Sequence, residues 1–488
     1  MRVTVTRKNV KFIPDSSRVV ARYFMNGETR TQRLVTRIMA LDEQQVSVSL
    51  EQVLREFASR HRSISRIFFN HCANIQGIIE GMQINYAGLS EARKMLIGSY
   101  CTMEYAIESA AFFNPAIIED VDQQNLERGE RRVIISFRAT GEGHISSIVF
   151  RRGIIDKNND LQVMQVGDHI DKAEISHKML YDKERFVKKL EEMEIPDKYS
   201  TTIMQDLPDK FEYYNLKDAV VRVMGDKSIS GARRMALEEM TWLADSFYDI
   251  QFKQDSDITE RVIFPVSESE SRGIEDARFV RFVDDDKTEK IYATYTAYNG
   301  HTILPKLIYT EDFYTFRVMP LHGNGAQNKN LALFPRKIKG KYAMLARIDG
   351  ENNYIMYSDR PTVWTNPTII QEPRFPWEFV QLGNCGSPLW TEEGWLMISH
   401  GVGPMRRYCI GASLFDLDDP GKEIGRLQEP LLTPREDERE GYVPNVVYSC
   451  GAIIHNNSLI LPYAVSDYSS TYGVVDMVEL LSALRKGN

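Results

Sequence analysis

Hydrophobic positions in the first part of the chain follow a helical period. Leu50, Val53, Leu54 and Phe57 share one face, and Ser49 and Gln52 are placed as a capping box, which predicts a helix starting near residue 49. The pattern runs on through Ile64, Ile67, Phe68, Cys72, Ile75, Ile78 and Ile79. It pauses at the NYAGLS turn around Gly88, then resumes from Glu91 to about Ala111 through Met95, Ile97, Cys101, Tyr105 and Ile107. Residues 1–110 are therefore expected to form a mostly helical module behind a short strand-like opening.

From Phe112 the period changes to two. RRVIISFRA (131–139) and SSIVFRR (146–152) are β-branched and aromatic runs bounded by turns. Between about 168 and 250 the helical period returns, with Phe186, Val187 and Leu190, then Ala236, Met240, Leu243 and Phe247, each set on one face. That stretch reads as a helical insertion. Beyond Val262 the units are hairpins: ARFVRFV with KIYATYTAY, LALFPRKI with YAMLARI, and YSCGAII with SLILPYA. TEDFYTF (310–316) and YSDRPTVW (357–364) echo each other after a strand, a weak internal repeat. Regularly spaced four-stranded units point to a mainly β fold, a five-bladed β-propeller over residues 111–488 that carries the insertion.

Composition leaves this picture intact and narrows the function. The 488 residues are 43% hydrophobic and 26% charged, a globular balance that excludes a disordered chain. Sixty Lys and Arg stand against 68 Asp and Glu, a net charge of −8, which argues against a nucleic-acid surface while leaving room for a local basic pocket. Five cysteines with no CxxC spacing signal neither a disulfide framework nor a zinc knuckle. The opening MRVTVTRKNVKF lacks an apolar signal core, and no stretch approaches the ~20 apolar residues of a membrane span. A soluble, cytoplasmic protein is expected.

Three groups of residues carry candidate chemistry. In Gly273-Ile274-Glu275-Asp276-Ala277-Arg278-Phe279, two carboxylates and an arginine lead into a strand. One carboxylate suits a general acid, with Arg278 holding its neighbour or a substrate hydroxyl; the alternative is a surface ion pair. Lys329, Arg347 and His400 each precede or end a strand and could converge on an anion, His400 adding a donor when protonated; the alternative is loop charges and a core imidazole. Asn114, Arg138, Tyr298, Asn299 and Asp467 are polar residues in apolar strands, suited to a sugar's hydroxyls or to partners within the sheet. Gly141-Glu142-Gly143 lacks the third glycine and the helix of a nucleotide loop and reads as a turn. Nine scattered histidines give no metal-ligand spacing, so no metal is expected. Cys385 and Cys450 read as buried. The acidic run from Glu436 to Glu440 reads as a solvated loop, with Glu440 able to reach a pocket if that loop folds inward.

In order along the chain, these segments resemble glycoside hydrolase family 130, the mannoside phosphorylases and related β-mannosidases. AFFNPA and ISFRA resemble its NPA and YRA elements, GIEDARF its G-x-E-D-P-R core, and YTAYNG its YTAY strand. NKNLALFPRKIKGKYAMLAR resembles K-D-A-A-L-F-P to M-L-x-R. GWLMISHGV, LFDLDDP, EGYVPNVVYSCG and PYAVSD resemble GWL-x-x-x-HG, LLDL-x-x-P, PNVVF-x-x-G and YGAAD. Ala277 departs from the usual Pro and Asn330 from the usual Asp. The resemblance implies a five-bladed propeller and an inverting reaction in which inorganic phosphate attacks a terminal mannose of a β-1,2- or β-1,4-linked manno-oligosaccharide. The products are α-mannose 1-phosphate and a shortened acceptor. It implies Asp276 as the catalytic acid, its proton passing through a mannose hydroxyl, with Lys329, Arg347 and His400 as phosphate ligands. Asn114, Arg138, Arg278, Tyr298 and Asp467 are then expected to bind sugar. Phosphate is a co-substrate, and no cofactor is expected. A hydrolase would need a second carboxylate as base, for which Glu440 is the candidate, whereas a phosphorylase needs cations to hold its nucleophile. An inverting β-mannosidase and a non-catalytic carbohydrate-binding propeller are the rivals. The amphipathic helices leave rim packing, self-association into a homo-oligomer and capping of the sugar channel open.

Overall fold

The computed structural model describes residues 3–177, 180–225 and 229–486. The protein is mainly β, with five sheets of four to six strands. The first contains Ala111–Glu119, Arg131–Thr140 and Ser146–Ile155, extended by Arg261–Ile263. The second runs Gly273–Val283, Glu289–Tyr298, Ile303–Thr310 and Thr315–Pro320; the third, Lys329–Leu333, Tyr342–Arg347, Asn353–Ser358 and Thr368–Gln371. Gln381–Asn384, Gly394–Val402, Tyr408–Phe415 and Glu423–Arg426 make the fourth. The fifth joins Val447–Tyr448, Ser458–Val465 and Ser469–Asp476 to the N-terminal strand Thr6–Arg7, so both ends of the chain share one sheet.

The sheets pack in succession. Ala111–Glu119 lies against both Gly273–Val283 and Ser458–Val465; Glu289–Tyr298 lies against Lys329–Leu333. Tyr342–Arg347 meets Gln381–Asn384, and Tyr408–Phe415 meets Val447–Tyr448. Alternating inward side chains, among them Phe150, Ile274, Leu333, Met344, Trp395 and Leu461, fill the spaces between sheets. The two echoing segments, TEDFYTF and YSDRPTVW, each follow the third strand of a sheet and lead to the fourth.

Two helical regions flank the sheets. Glu28–Met39, Glu43–Phe57, Ile64–Ala73, Gln76–Gly81 and Glu91–Tyr100 pack around Val35, Val46, Cys72, Ile79 and Ile97. The helix expected from residue 49 starts at Glu43: Asp42 accepts a hydrogen bond from the Gln45 amide, and the Gln45 side chain accepts one from Asp42. Ser49 is interior to it, because the buried stripe already begins at Val46. The helical reading of 101–111 also fails. Thr102–Glu108 is a strand paired with Asp15–Tyr23, and this long-range pairing overrides a local spacing compatible with either period. The insertion contributes Lys183–Glu192, Asp197–Asp206, Tyr213–Met224 and Gly231–Asp245, packed around Phe186, Leu216, Leu237 and Met240. It is pinned to the second sheet at a fully buried ion pair, Lys306 to Glu270 at 2.7 Å, where Tyr248 and Tyr295 also donate to the carboxylate. No described helix is long and apolar enough to cross a membrane.

Candidate functional site

The first strands of three sheets carry the same irregularity. In each, two residues oppose one on the partner strand: Asn114 and Pro115 face Phe137, Asp276 and Ala277 face Tyr295, and Asn330 and Leu331 face Ala346. The first residue of each bulge is left-handed, with φ of 51° at Asn114, 55° at Asp276 and 65° at Asn330. Asn and Asp tolerate this region better than other side-chain-bearing residues. A bulge re-aims its side chain out of the pleat, and these three turn polar groups towards one pocket. The pocket, about 220 Å³, is lined by Asn114, Arg138, Glu275, Asp276, Lys329, Asn330, Arg347, Gln381, His400, Arg406, Tyr408, Val443, Val446, Tyr448 and Asp467.

One side of it is cationic. Lys329 and Arg347 are direct cross-strand partners, a like-charge pairing that disfavours the sheet. Lys329 is compensated by Glu275, whose other oxygen takes a hydrogen bond from Arg138; the distances are 2.6 and 2.8 Å. Arg347 has no carboxylate partner among the described residues. It is 8% exposed, its Nε is unpartnered, and among the described residues its one side-chain hydrogen bond is Nη1 to His400 Nε2 at 3.4 Å. Burial, then the charges of Arg347 and Arg278, hold His400 well below the usual imidazole range. Its imidazole is therefore neutral at pH 7, so the donor expected of it when protonated is not supplied at that pH. Its Nδ1 faces the Asn384 carbonyl at 3.2 Å, leaving Nε2 to accept from Arg347. The ring lies so close over Gly383 that a Cβ there would come within 2.4 Å of it.

The other side holds carboxylates of opposite character. Asp276 Oδ1 accepts from Asn114 Nδ2 at 2.6 Å, and Arg138 Nη1 lies 3.8 Å away. Burial works against its charge, but Arg278, Arg138 and Lys329 outweigh burial and hold the carboxyl below the usual range. Asp467 shows the reverse: burial lifts it to about 6 against the pull of Arg138. The unpartnered Oδ1 of Asn114 and Nε of Arg138 add free polar valences in the same wall.

Asn114, Arg138, Asp276, Lys329, Arg347, His400 and Asp467 thus share one pocket. Arg278 stands behind it, 1% exposed, donating to the Asp276 carbonyl and to the Tyr448 hydroxyl. Tyr298 is not brought in; its hydroxyl donates to the Gly300 carbonyl. Asn299 accepts from the amides of His301 and Thr302 in the same turn. Glu440 is exposed and does not line the pocket. Glu275, Gln381, Arg406, Tyr408 and Tyr448 were not singled out by sequence as ligands. The five cysteines are free and buried.

Residues 231–486 match the family model described as beta-1,4-mannooligosaccharide phosphorylase, more than half of the chain. The chain belongs to glycoside hydrolase family 130. It is 38% identical over 156 residues to a 1,2-beta-oligomannan phosphorylase of Thermoanaerobacter sp. strain X514, covering 31% of this chain and 52% of that one. It is 31% identical over 231 residues to a beta-1,2-mannobiose phosphorylase of Listeria innocua, covering 46% and 63%. The chain thus spans about half to two thirds of the length of these relatives. Among solved structures, the Listeria innocua beta-1,2-mannobiose phosphorylase in complex with beta-1,2-mannobiose shares 21% identity at a TM-score of 0.45, over 77% of this chain and 92% of that one.

Proposed function

We propose that this protein is a β-mannoside phosphorylase, acting on β-1,2- or β-1,4-linked manno-oligosaccharides and releasing α-mannose 1-phosphate. The observation that carries the reading is Arg347, a buried guanidinium with no carboxylate ion pair among the described residues, facing a lysine across its own strand ladder. Burying an unpaired charge costs several kcal/mol (roughly), so the arrangement suits an anion that arrives with the substrate. The pocket's side chains carry Arg138, Lys329, Arg347 and Arg406 against Glu275, Asp276 and Asp467, with Arg278 behind them. An incoming phosphate meets a cationic excess there.

On the opposite wall Asn114, Arg138 and Asp467 suit the hydroxyls of a terminal mannose, and Asp276 supplies the proton for the departing oxygen. Phosphate attacks the anomeric carbon from the face opposite the leaving group, so the configuration inverts. The C–O bond to the acceptor breaks, its electron pair takes a proton from a mannose hydroxyl that Asp276 reprotonates, and the proton of hydrogen phosphate returns to Asp276, so the charge balances. In the empty site Asp276 is ionised. A bound dianion offsets the field of Arg138, Arg278 and Lys329 and so raises its proton affinity, coupling acid function to occupancy. The five successive sheets support a five-bladed propeller over residues 111–488 that also takes in the N-terminal strand Thr6–Arg7, with the rest of residues 1–110 as a flanking module and 168–250 as an insertion. The free, buried cysteines support a cytoplasmic location. Incubation with β-1,2- and β-1,4-mannobiose, with and without inorganic phosphate, tests the function. The expected outcome is phosphate-dependent formation of mannose 1-phosphate; release of free mannose without phosphate would replace it with a hydrolase.

A further inference from the structure

Tyr448 is held by two hydrogen bonds, and it is the acceptor in both. Arg278 Nη2 donates to its hydroxyl at 2.7 Å, and a guanidinium can do nothing but donate. Asn330 Nδ2 lies at 3.1 Å. The orientation of that amide is fixed, because the same nitrogen also donates to the Asn384 carbonyl at 3.0 Å; turning it over would set oxygen against oxygen. Asn384 Nδ2 returns a bond to the Asn330 carbonyl at 2.6 Å and locks the pair.

A phenol has one donor and two lone pairs. Both lone pairs are used, and among the described residues no acceptor faces the proton. Burial keeps the phenol protonated, its proton affinity raised despite Arg278. The ring stands edge-on to His400 at 4.8 Å between centroids, and the side chain lines the pocket beside Arg347. The residue is 7% exposed, so bulk water gives the proton little relief.

We propose that Tyr448 is a further ligand-binding residue, its O–H donating to an oxygen of the phosphate bound between Arg347 and Lys329. The assignment rests on the phosphorylase reading. Asn330 and Tyr448 stand where the resembled motifs have Asp and Phe, and here they bond to each other. A carboxylate at 330 would draw the phenolic proton to itself; the amide turns it outward. The pocket thereby exchanges a negative charge for a neutral donor aimed at the anion.

Calorimetric titration of wild type and Tyr448→Phe, with inorganic phosphate alone and with β-1,2-mannobiose alone, tests this. The variant is expected to bind phosphate about tenfold more weakly, as for one hydrogen bond to a charged group, and the disaccharide within about twofold of wild type. Unchanged phosphate affinity overturns the assignment. Equal weakening of both ligands also overturns it, since that reports disturbance of Arg278 and Asp276. Should Tyr448→Phe not fold, Asn330→Asp decides: by recapturing the proton and adding charge it must weaken phosphate by more than about tenfold, and unchanged affinity overturns the proposal. A wild type that takes up no phosphate instead overturns the phosphorylase reading, and the Tyr448 role with it.

Discussion

Arg347→Met should stabilise the empty protein and at the same time damage its affinity for phosphate. The guanidinium is 8% exposed, faces Lys329 across the ladder and makes its one side-chain hydrogen bond among the described residues to a neutral His400. Methionine fills similar volume without a charge to desolvate. Replacing buried ions with apolar side chains is stabilising in favourable cases by about 1–4 kcal/mol, and an uncompensated one belongs near the middle of that range. Phosphate reverses the order. At about 100 times its Kd it protects the wild type by about 2.7 kcal/mol. Loss of a charge-assisted hydrogen bond, about 1.5–3 kcal/mol, raises Kd by about 10- to 100-fold. At the same concentration the variant then gains only about 0.4–1.4 kcal/mol. Urea unfolding at pH 7, with and without phosphate, measures both terms. A variant less stable than wild type without phosphate, or one protected equally by it, would refute the claim that Arg347 is a strained anion ligand.

Two further outcomes follow from the carboxylates. Asp276→Asn keeps an oxygen for the Asn114 hydrogen bond but carries no transferable proton, so kcat should fall about 10²- to 10⁴-fold in both directions. Mannobiose affinity, measured by calorimetry, should stay close to wild type; retention of near-normal turnover would remove Asp276 from the mechanism. For Asp467 the folded carboxyl titrates at about 6, above its ordinary value of 3.8, so between those values the folded state holds a proton that the unfolded state has released. Stability relative to an Asp467→Asn variant must therefore fall as pH rises from about 4 to 6, by up to about 3 kcal/mol. Parallel urea midpoints at pH 4.5 and 7 read this difference, and a pH-independent gap between the two proteins would contradict it.

The sequence carried the period changes and hence the order of helices and strands, because amphipathic spacing is local. It misplaced boundaries where tertiary pairing decided them. Thr102–Glu108 takes its conformation from Asp15–Tyr23, nearly ninety residues earlier (roughly) in the chain, and a helical wheel carries no trace of that partner. Candidate ligands were legible where a charged side chain interrupted an apolar run, as at Arg138, Asp276 and Arg347. Tyr298, singled out as a polar residue in an apolar strand, turns back to its own loop, since a polar residue at a strand end has two ways to be satisfied. Arg406 and Gln381 gave no such signal, Arg406 lying in a short turn and Gln381 at the start of a strand, where polar residues are ordinary.

One signal lay in the sequence unused. Asn114, Asp276 and Asn330 each stand near the start of a sheet's first strand and begin a bulge with left-handed backbone. Repetition of a backbone device in three sheets means the site is made by the architecture before any side-chain chemistry is specified. Each bulge interrupts the ladder near the start of its strand and presents a short polar side chain, so exchange of Asp for Asn at one of them changes charge without changing geometry. At 276 the carboxylate can carry a proton; at 114 and 330 an amide orients its neighbours, Asp276 in one case and Tyr448 in the other. The asymmetry of the pocket thus resides in which of the three bulge positions holds a carboxylate, and Asp276 is the one whose neighbours Arg278, Arg138 and Lys329 hold it below the usual range.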